Sequence, residues 1–78
     1  MQCFFVHILC ELGQTYPVAA AIADREIASE IYSISGEYDL LVKFYLDREQ
    51  DIGHFVAQNL HDIPGVRRTV TTLTFKAF

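Results

Sequence analysis

Residues 30–46 read EIYSISGEYDLLVKFYL, two apolar runs joined by the polar centre Ser35-Gly36-Glu37-Tyr38-Asp39. This stretch predicts a hairpin. Gly36 suits the first central position of a two-residue type II′ turn, which requires positive φ, with Ser35 and Tyr38 flanking it. The strands behind the turn are expected over Glu30 to Ser35 and Tyr38 to Leu46. In the second of them Leu40, Val42, Phe44 and Leu46 form an alternating core face, while Leu41, Lys43 and Tyr45 point the other way.

Towards the N-terminus, the even positions Phe4, Val6, Ile8, Cys10 and Leu12 mark a strand over Gln2 to Leu12 with one face on a core. Its odd positions Phe5, His7 and Leu9 are largely apolar too, so neither face suits bulk water. Gly13 ends the strand. A short alanine-rich helix is expected from Pro17, in its first turn, to Arg25. Towards the C-terminus, Asp47 is an N-cap candidate with Gln50 as capping-box partner. Ile52, Phe55, Val56, Leu60 and Ile63 follow with helical spacing until Pro64-Gly65. A last strand rich in Thr, Val and Phe covers Val66 to Phe78.

The order strand, helix, strand, strand, helix, strand over residues 1–78 predicts one α+β domain with the ferredoxin-like βαββαβ fold. Right-handed crossovers place both helices on one face of a four-stranded antiparallel sheet. The other face carries Phe5, His7, Leu9, Leu41 and Tyr45, and a twofold partner laying its own sheet there is the simplest cover. That predicts a homodimer of the dimeric α+β barrel type.

The bulk composition agrees with a supplemented small core. The chain has 78 residues, 51% of them hydrophobic, and a domain of this size buries only about 60–65% of its unfolded surface. A net charge of −4 with scattered basic residues argues against direct contact with nucleic acid. No apolar run is long enough to span a membrane. Cys3 and Cys10 are an odd number of residues apart, hence on opposite strand faces, and read as free thiols. With no recognisable signal peptide, a cytoplasmic location is expected.

Few residues suggest chemistry by themselves. His54 and His61 are expected two turns apart on one helix face, the wrong spacing for a chelating pair, so no metal is expected. His7 shares a face only with Cys3, about 13 Å along the strand, too far for a nucleophile pair. Glu37 and Asp39 are turn carboxylates, and Asp39 either accepts backbone N–H bonds that shape the tip or faces an amine. Thr69 and Thr71 share a strand face and fit β propensity, but their hydroxyls can also meet a small polar ligand.

Ser35-Gly36-Glu37-Tyr38-Asp39-Leu40-Leu41-Val42, followed by Ile63-Pro64-Gly65-Val66-Arg67-Arg68-Thr69-Val70-Thr71, resembles the effector-binding (RAM) domain of the Lrp/AsnC feast/famine regulators. The resemblance covers essentially the whole chain. It implies a non-enzymatic, cofactor-free sensor that pairs sheet to sheet, assembles into higher oligomers, and binds an amino acid or related metabolite between dimers. By the same resemblance the ligand contacts fall on Gly36, Glu37, Tyr38 and Asp39, with Thr69 and Thr71 as additions. Such regulators carry an N-terminal helix-turn-helix, and nothing precedes Met1-Gln2-Cys3 here, which implies either a stand-alone domain or an excised fragment; the methionine at the first strand favours the former, a domain expected to modulate full-length regulators. Val70, where many relatives place a polar residue, and the two cysteines depart from the pattern.

Two other readings share the topology. A small dimeric α+β barrel enzyme, of monooxygenase or isomerase type, needs an acid or base between sheet and helices, where Phe4, Val6, Ile8, Leu40, Val42 and Phe44 are all apolar. A purely structural oligomerisation module needs no site. The amino-acid-binding ACT fold has the same element order but fits the two motifs less well.

Overall fold

Alternation along the first strand decides where the core lies. In the computed structural model, which describes residues 1–78, β1 runs Gln2–Cys10, and Phe4, Val6, Ile8 and Cys10 are buried while the odd positions are not. The remaining elements are α1 (Thr15–Asp24), β2 (Glu30–Ser33), β3 (Leu40–Leu46), α2 (Ile52–Asn59) and β4 (Val66–Leu73). The sheet is antiparallel with strand order β2-β3-β1-β4, the expected βαββαβ arrangement. No helix is long and apolar enough to cross a membrane.

Both helices pack on the even face of β1. Val18 and Ile22 from α1, Val56 from α2, and Leu60 and Ile63 beyond it close over Phe4, Val6, Ile8, Leu40, Val42 and Phe44. Phe4 stacks on Phe44 at 5.2 Å, and Phe55 meets both rings edge-on at 6.1 and 5.5 Å, fastening α2 to the sheet centre. No polar or charged residue is buried.

Several boundaries differ from the sequence expectation. β1 ends at Cys10, two residues early, because the chain must turn towards α1, and Leu12 is fully exposed. α1 begins at Thr15, so Pro17 occupies its third position, where the missing N–H is still no loss. The hairpin tip is longer than a two-residue turn. β2 stops at Ser33 and β3 starts at Leu40, the closing bond runs from Ile34 N–H to Asp39 C=O (3.0 Å), and Ser35 to Tyr38 form the loop. Gly36 does take a positive φ, +98°. Asp39 is drawn out of the turn because its own N–H donates to Ile8 C=O in β1 (2.9 Å).

The second helix is capped by Asp51, not Asp47. Asp51 Oδ1 accepts from His54 N–H at 3.1 Å, whereas Asp47 closes a separate turn through Gln50 N–H to Asp47 C=O at 3.0 Å. The Gln2 side-chain amide donates to the carbonyls of Asp47 and Gln50 and holds that turn against β1. The helix also stops at Asn59, so His54 and His61 do not share a helix face. β4 ends at Leu73; past it the chain leaves the sheet, with Thr74 Oγ1 donating to Cys3 C=O at 2.7 Å.

Candidate functional site

Because β1 pairs with both β3 and β4, its C-terminal end brings the hairpin tip and the start of β4 together. Asp39 Oδ2 accepts from Cys10 N–H at 2.8 Å, which anchors the tip to β1. Of the two roles open to Asp39 from sequence, the backbone acceptor is the one observed, and its other oxygen lone pairs stay free. Tyr38 lies against the His7 ring (5.5 Å between centroids), with the Arg68 guanidinium 5.5 Å from its centroid and Arg68 Nη2 donating to Tyr38 Oη at 3.1 Å. Glu37 sits 3.6 Å from the same guanidinium. A carboxylate, a phenol, an imidazole and a guanidinium thus converge beside the sheet face that carries no helix.

Arg68 is the residue that sequence reasoning missed here. Its signal was present in the Arg67-Arg68 pair, but only the β1–β4 register, Leu9 opposite Arg68 and His7 opposite Val70, places it next to Tyr38.

Thr69 and Thr71 lie elsewhere. Registered against Ile8 and Val6, they belong to the helix side of the sheet, so one chain does not unite them with Glu37 and Tyr38. Thr69 Oγ1 is 2.9 Å from His61 Nε2, and the two residues line a cleft of about 310 Å³ with Val66, Arg67 and Arg68. Thr71 is exposed farther along the open edge strand. Gly36 is exposed at the tip.

The helix-free face gathers Phe5, His7, Leu9, Leu41 and Tyr45, with Tyr32 and Val70 at its margins. Tyr45 is 44% exposed, Tyr32 51% and Val70 41%, a broad apolar surface for so small a chain. Its one central charge is well supplied. Lys43 Nζ lies 3.3 Å from Glu30 Oε2 and within 5.9 and 5.2 Å of the Phe5 and Tyr45 rings. Tyr32 donates to Glu30, and this bond, with help from Lys43, holds the Glu30 carboxyl below its usual range. Contact with Tyr45 and then Glu30 pushes the Lys43 ammonium upward.

Cys10 is buried behind the tip, and burial, reinforced by the Asp39 charge, raises its thiol above the ordinary 9.0 despite a bond to Thr15. Cys3 is half-buried on the opposite face, and both thiols are free. No three His, Cys, Asp or Glu side chains are grouped as metal ligands.

A family model described as the Lrp/AsnC ligand binding domain matches residues 3–78. An uncharacterized HTH-type transcriptional regulator of Pyrococcus abyssi (strain GE5 / Orsay) is 38% identical over 58 residues, covering 74% of this chain and 39% of the regulator. The crystal structure of TTHA0845 from Thermus thermophilus matches with a TM-score of 0.89 at 32% identity, over 100% of this chain and 98% of that one. The transcriptional regulator NMB0573 of Neisseria meningitidis, solved as a complex with L-Met, shares the fold at a TM-score of 0.83 and 18% identity, over 96% of this chain and 50% of that one. The chain spans less than half the length of the curated regulators it matches.

Proposed function

The chain belongs to the Lrp/AsnC ligand-binding domain family, and from that membership we propose that it is a non-enzymatic oligomeric sensor. It binds an amino acid or related metabolite in clefts between dimers and modulates transcription by assembling with full-length Lrp/AsnC-type regulators. The observation that carries the reading is the cluster of Glu37, Tyr38, His7 and Arg68 at the rim of an uncovered apolar sheet face. Sheet-to-sheet pairing through Phe5, His7, Leu9, Leu41 and Tyr45 covers that face, and a second dimer brings its Thr69 and Thr71 to the tip. Arg68 suits an α-carboxylate, Glu37 and the free lone pairs of Asp39 suit an α-ammonium, and the Gly36 turn admits the ligand close to the backbone.

Two findings support the reading without being specific to this chain. The named relatives are transcriptional regulators, and one fold neighbour was solved with a free amino acid. The enzymatic alternative asks for a polar group between sheet and helices, and the residues buried there are all hydrophobic.

A thermal-shift screen against the free amino acids at millimolar concentration tests the proposal. A ligand bound only to the native state raises the melting temperature by mass action. One or a few amino acids are expected to stabilise the wild type, and Glu37→Gln and Thr71→Val are each expected to diminish the shift without lowering the unliganded melting point. A flat response across the panel favours a structural oligomerisation module instead.

A further inference from the structure

The cleft beside the start of β4 has a charge pattern that the general sensor reading does not use. His61, Val66, Arg67, Arg68 and Thr69 line it, and no carboxylate does. Its volume of about 310 Å³ is at the lower end of the range for small-molecule sites. Arg68 is committed at the tip, where its guanidinium meets Tyr38 and Glu37. Asp62, the acid next to His61 in sequence, is committed to Arg25, which it meets through two bonds of 2.9 and 3.2 Å. Arg67 takes part in none of the three ion pairs of the chain. In a protein of net charge −4, this leaves one guanidinium unneutralised in the wall of a cleft.

The neighbours of Arg67 sharpen the chemistry. The bond between His61 and Thr69 (2.9 Å) fixes both polar groups in place before any ligand arrives. Val66 is the one apolar side chain in the wall, so an aliphatic ligand side chain has little surface to bury, and a cationic one meets Arg67. β4 is also an edge strand, with backbone groups that no neighbouring strand pairs. A planar, multi-donor guanidinium beside a hydroxyl and an imidazole matches a carboxylate.

We infer that the effector of this chain is a dicarboxylic amino acid, whose side-chain carboxylate is held by Arg67 beside the His61–Thr69 pair. The inference rests on the amino-acid-sensor reading and adds the class of ligand. Glu37, Tyr38 and Arg68 of one dimer serve the α-amino acid group common to every candidate, and Arg67 of the facing dimer, beside its own His61–Thr69 pair, selects among them.

Calorimetric titration of the full chain at constant ionic strength tests this, using L-glutamate and L-aspartate against their neutral near-isosteres L-glutamine and L-asparagine, with succinate as a dicarboxylate lacking the amino group. A charged hydrogen-bonded contact of this type corresponds to a preference of about tenfold or more. One acidic amino acid is therefore expected to bind at least that much tighter than its amide, and Arg67→Gln is expected to erase the difference. Arg67 is exposed and unpaired, so the unliganded melting point of Arg67→Gln should match the wild type. If a neutral or basic amino acid binds as well as the acidic ones, or if Arg67→Gln keeps the preference, the inference is overturned while the sensor reading stands. If no amino acid binds but succinate does so in an Arg67-dependent way, the anion cleft stands and the amino-acid reading falls. If nothing binds, both fall.

Discussion

Asp39 and Cys10, twenty-nine residues apart, are joined by a 2.8 Å hydrogen bond from the Cys10 amide to Asp39 Oδ2. The bond welds the hairpin tip to the end of β1 and explains an aspartate at a strand start, where its β propensity is poor. A part-buried amide that loses its acceptor costs about 1–3 kcal/mol. Asp39→Ala should therefore lower the urea unfolding free energy by about that amount, and Asp39→Asn, which keeps an oxygen acceptor, by less. Equal losses in the two variants would show that the charge, and not the hydrogen bond, holds the tip.

The same neighbourhood predicts a thiol of low reactivity. Burial and the Asp39 carboxylate raise the Cys10 thiol above 9.0 in the folded chain. A raised folded value contributes stability that is intact below the unfolded value and lost as pH rises through the folded one. Stability should thus decline on the alkaline side of 9.0. At neutral pH Cys10 should resist alkylation until denaturant is added, as read by mass spectrometry of the labelled peptides. Rapid native labelling of Cys10 would mean that the tip opens often.

Gly36 and Gly65 offer a controlled comparison, with nearly equal φ of +98° and +96°. A Cβ at Gly36 meets nothing within 4 Å, whereas one at Gly65 comes within 2.9 Å of both Gln14 Cβ and Val18 Cγ2. Alanine at either position carries the left-handed cost of about 1–2 kcal/mol. Gly65→Ala should lose a further 1–3 kcal/mol or so through overpacking against α1. Chemical denaturation of both variants measures the difference, and equal losses would contradict the close packing of Gly65 on α1.

These contacts show where sequence was sufficient and where it was not. Alternation at Phe4, Val6, Ile8 and at Leu40, Val42, Phe44 identified the core face, because a period of two leaves no other register with those residues buried. Capping and turn lengths were less legible. Asp47 and Asp51 both precede the apolar stripe, and the later start, capped through His54 N–H, is the one seen with Phe55 packed edge-on against both Phe4 and Phe44. The tip was read as a two-residue turn because Gly36-Glu37 satisfies that pattern locally, while the bond that lengthens it comes from Ile8, thirty-one residues away. Arg68 stayed invisible for the same reason, since its partners Tyr38 and Glu37 are thirty and thirty-one residues off and meet it only through β1.

The helix-free face gives a prediction about assembly. Leu41 is half-buried opposite His7, at the centre of the patch, and makes no contribution to the buried core. If a second copy covers it, a carboxylate placed there is desolvated without a partner, at a cost of several kcal/mol. Leu41→Glu should leave the circular dichroism spectrum intact and reduce the particle mass at micromolar concentration to that of one chain, 8.9 kDa. An unchanged mass would move the interface to another surface.

A ligand held between dimers, as proposed, would make binding and assembly one event. Multi-angle light scattering over a dilution series, with and without a stabilising amino acid, tests it most directly. A dimer or a multiple of one is expected, with a shift of the larger multiple to lower protein concentration when the ligand is present. A monomer of 8.9 kDa whose mass is indifferent to ligand would contradict it.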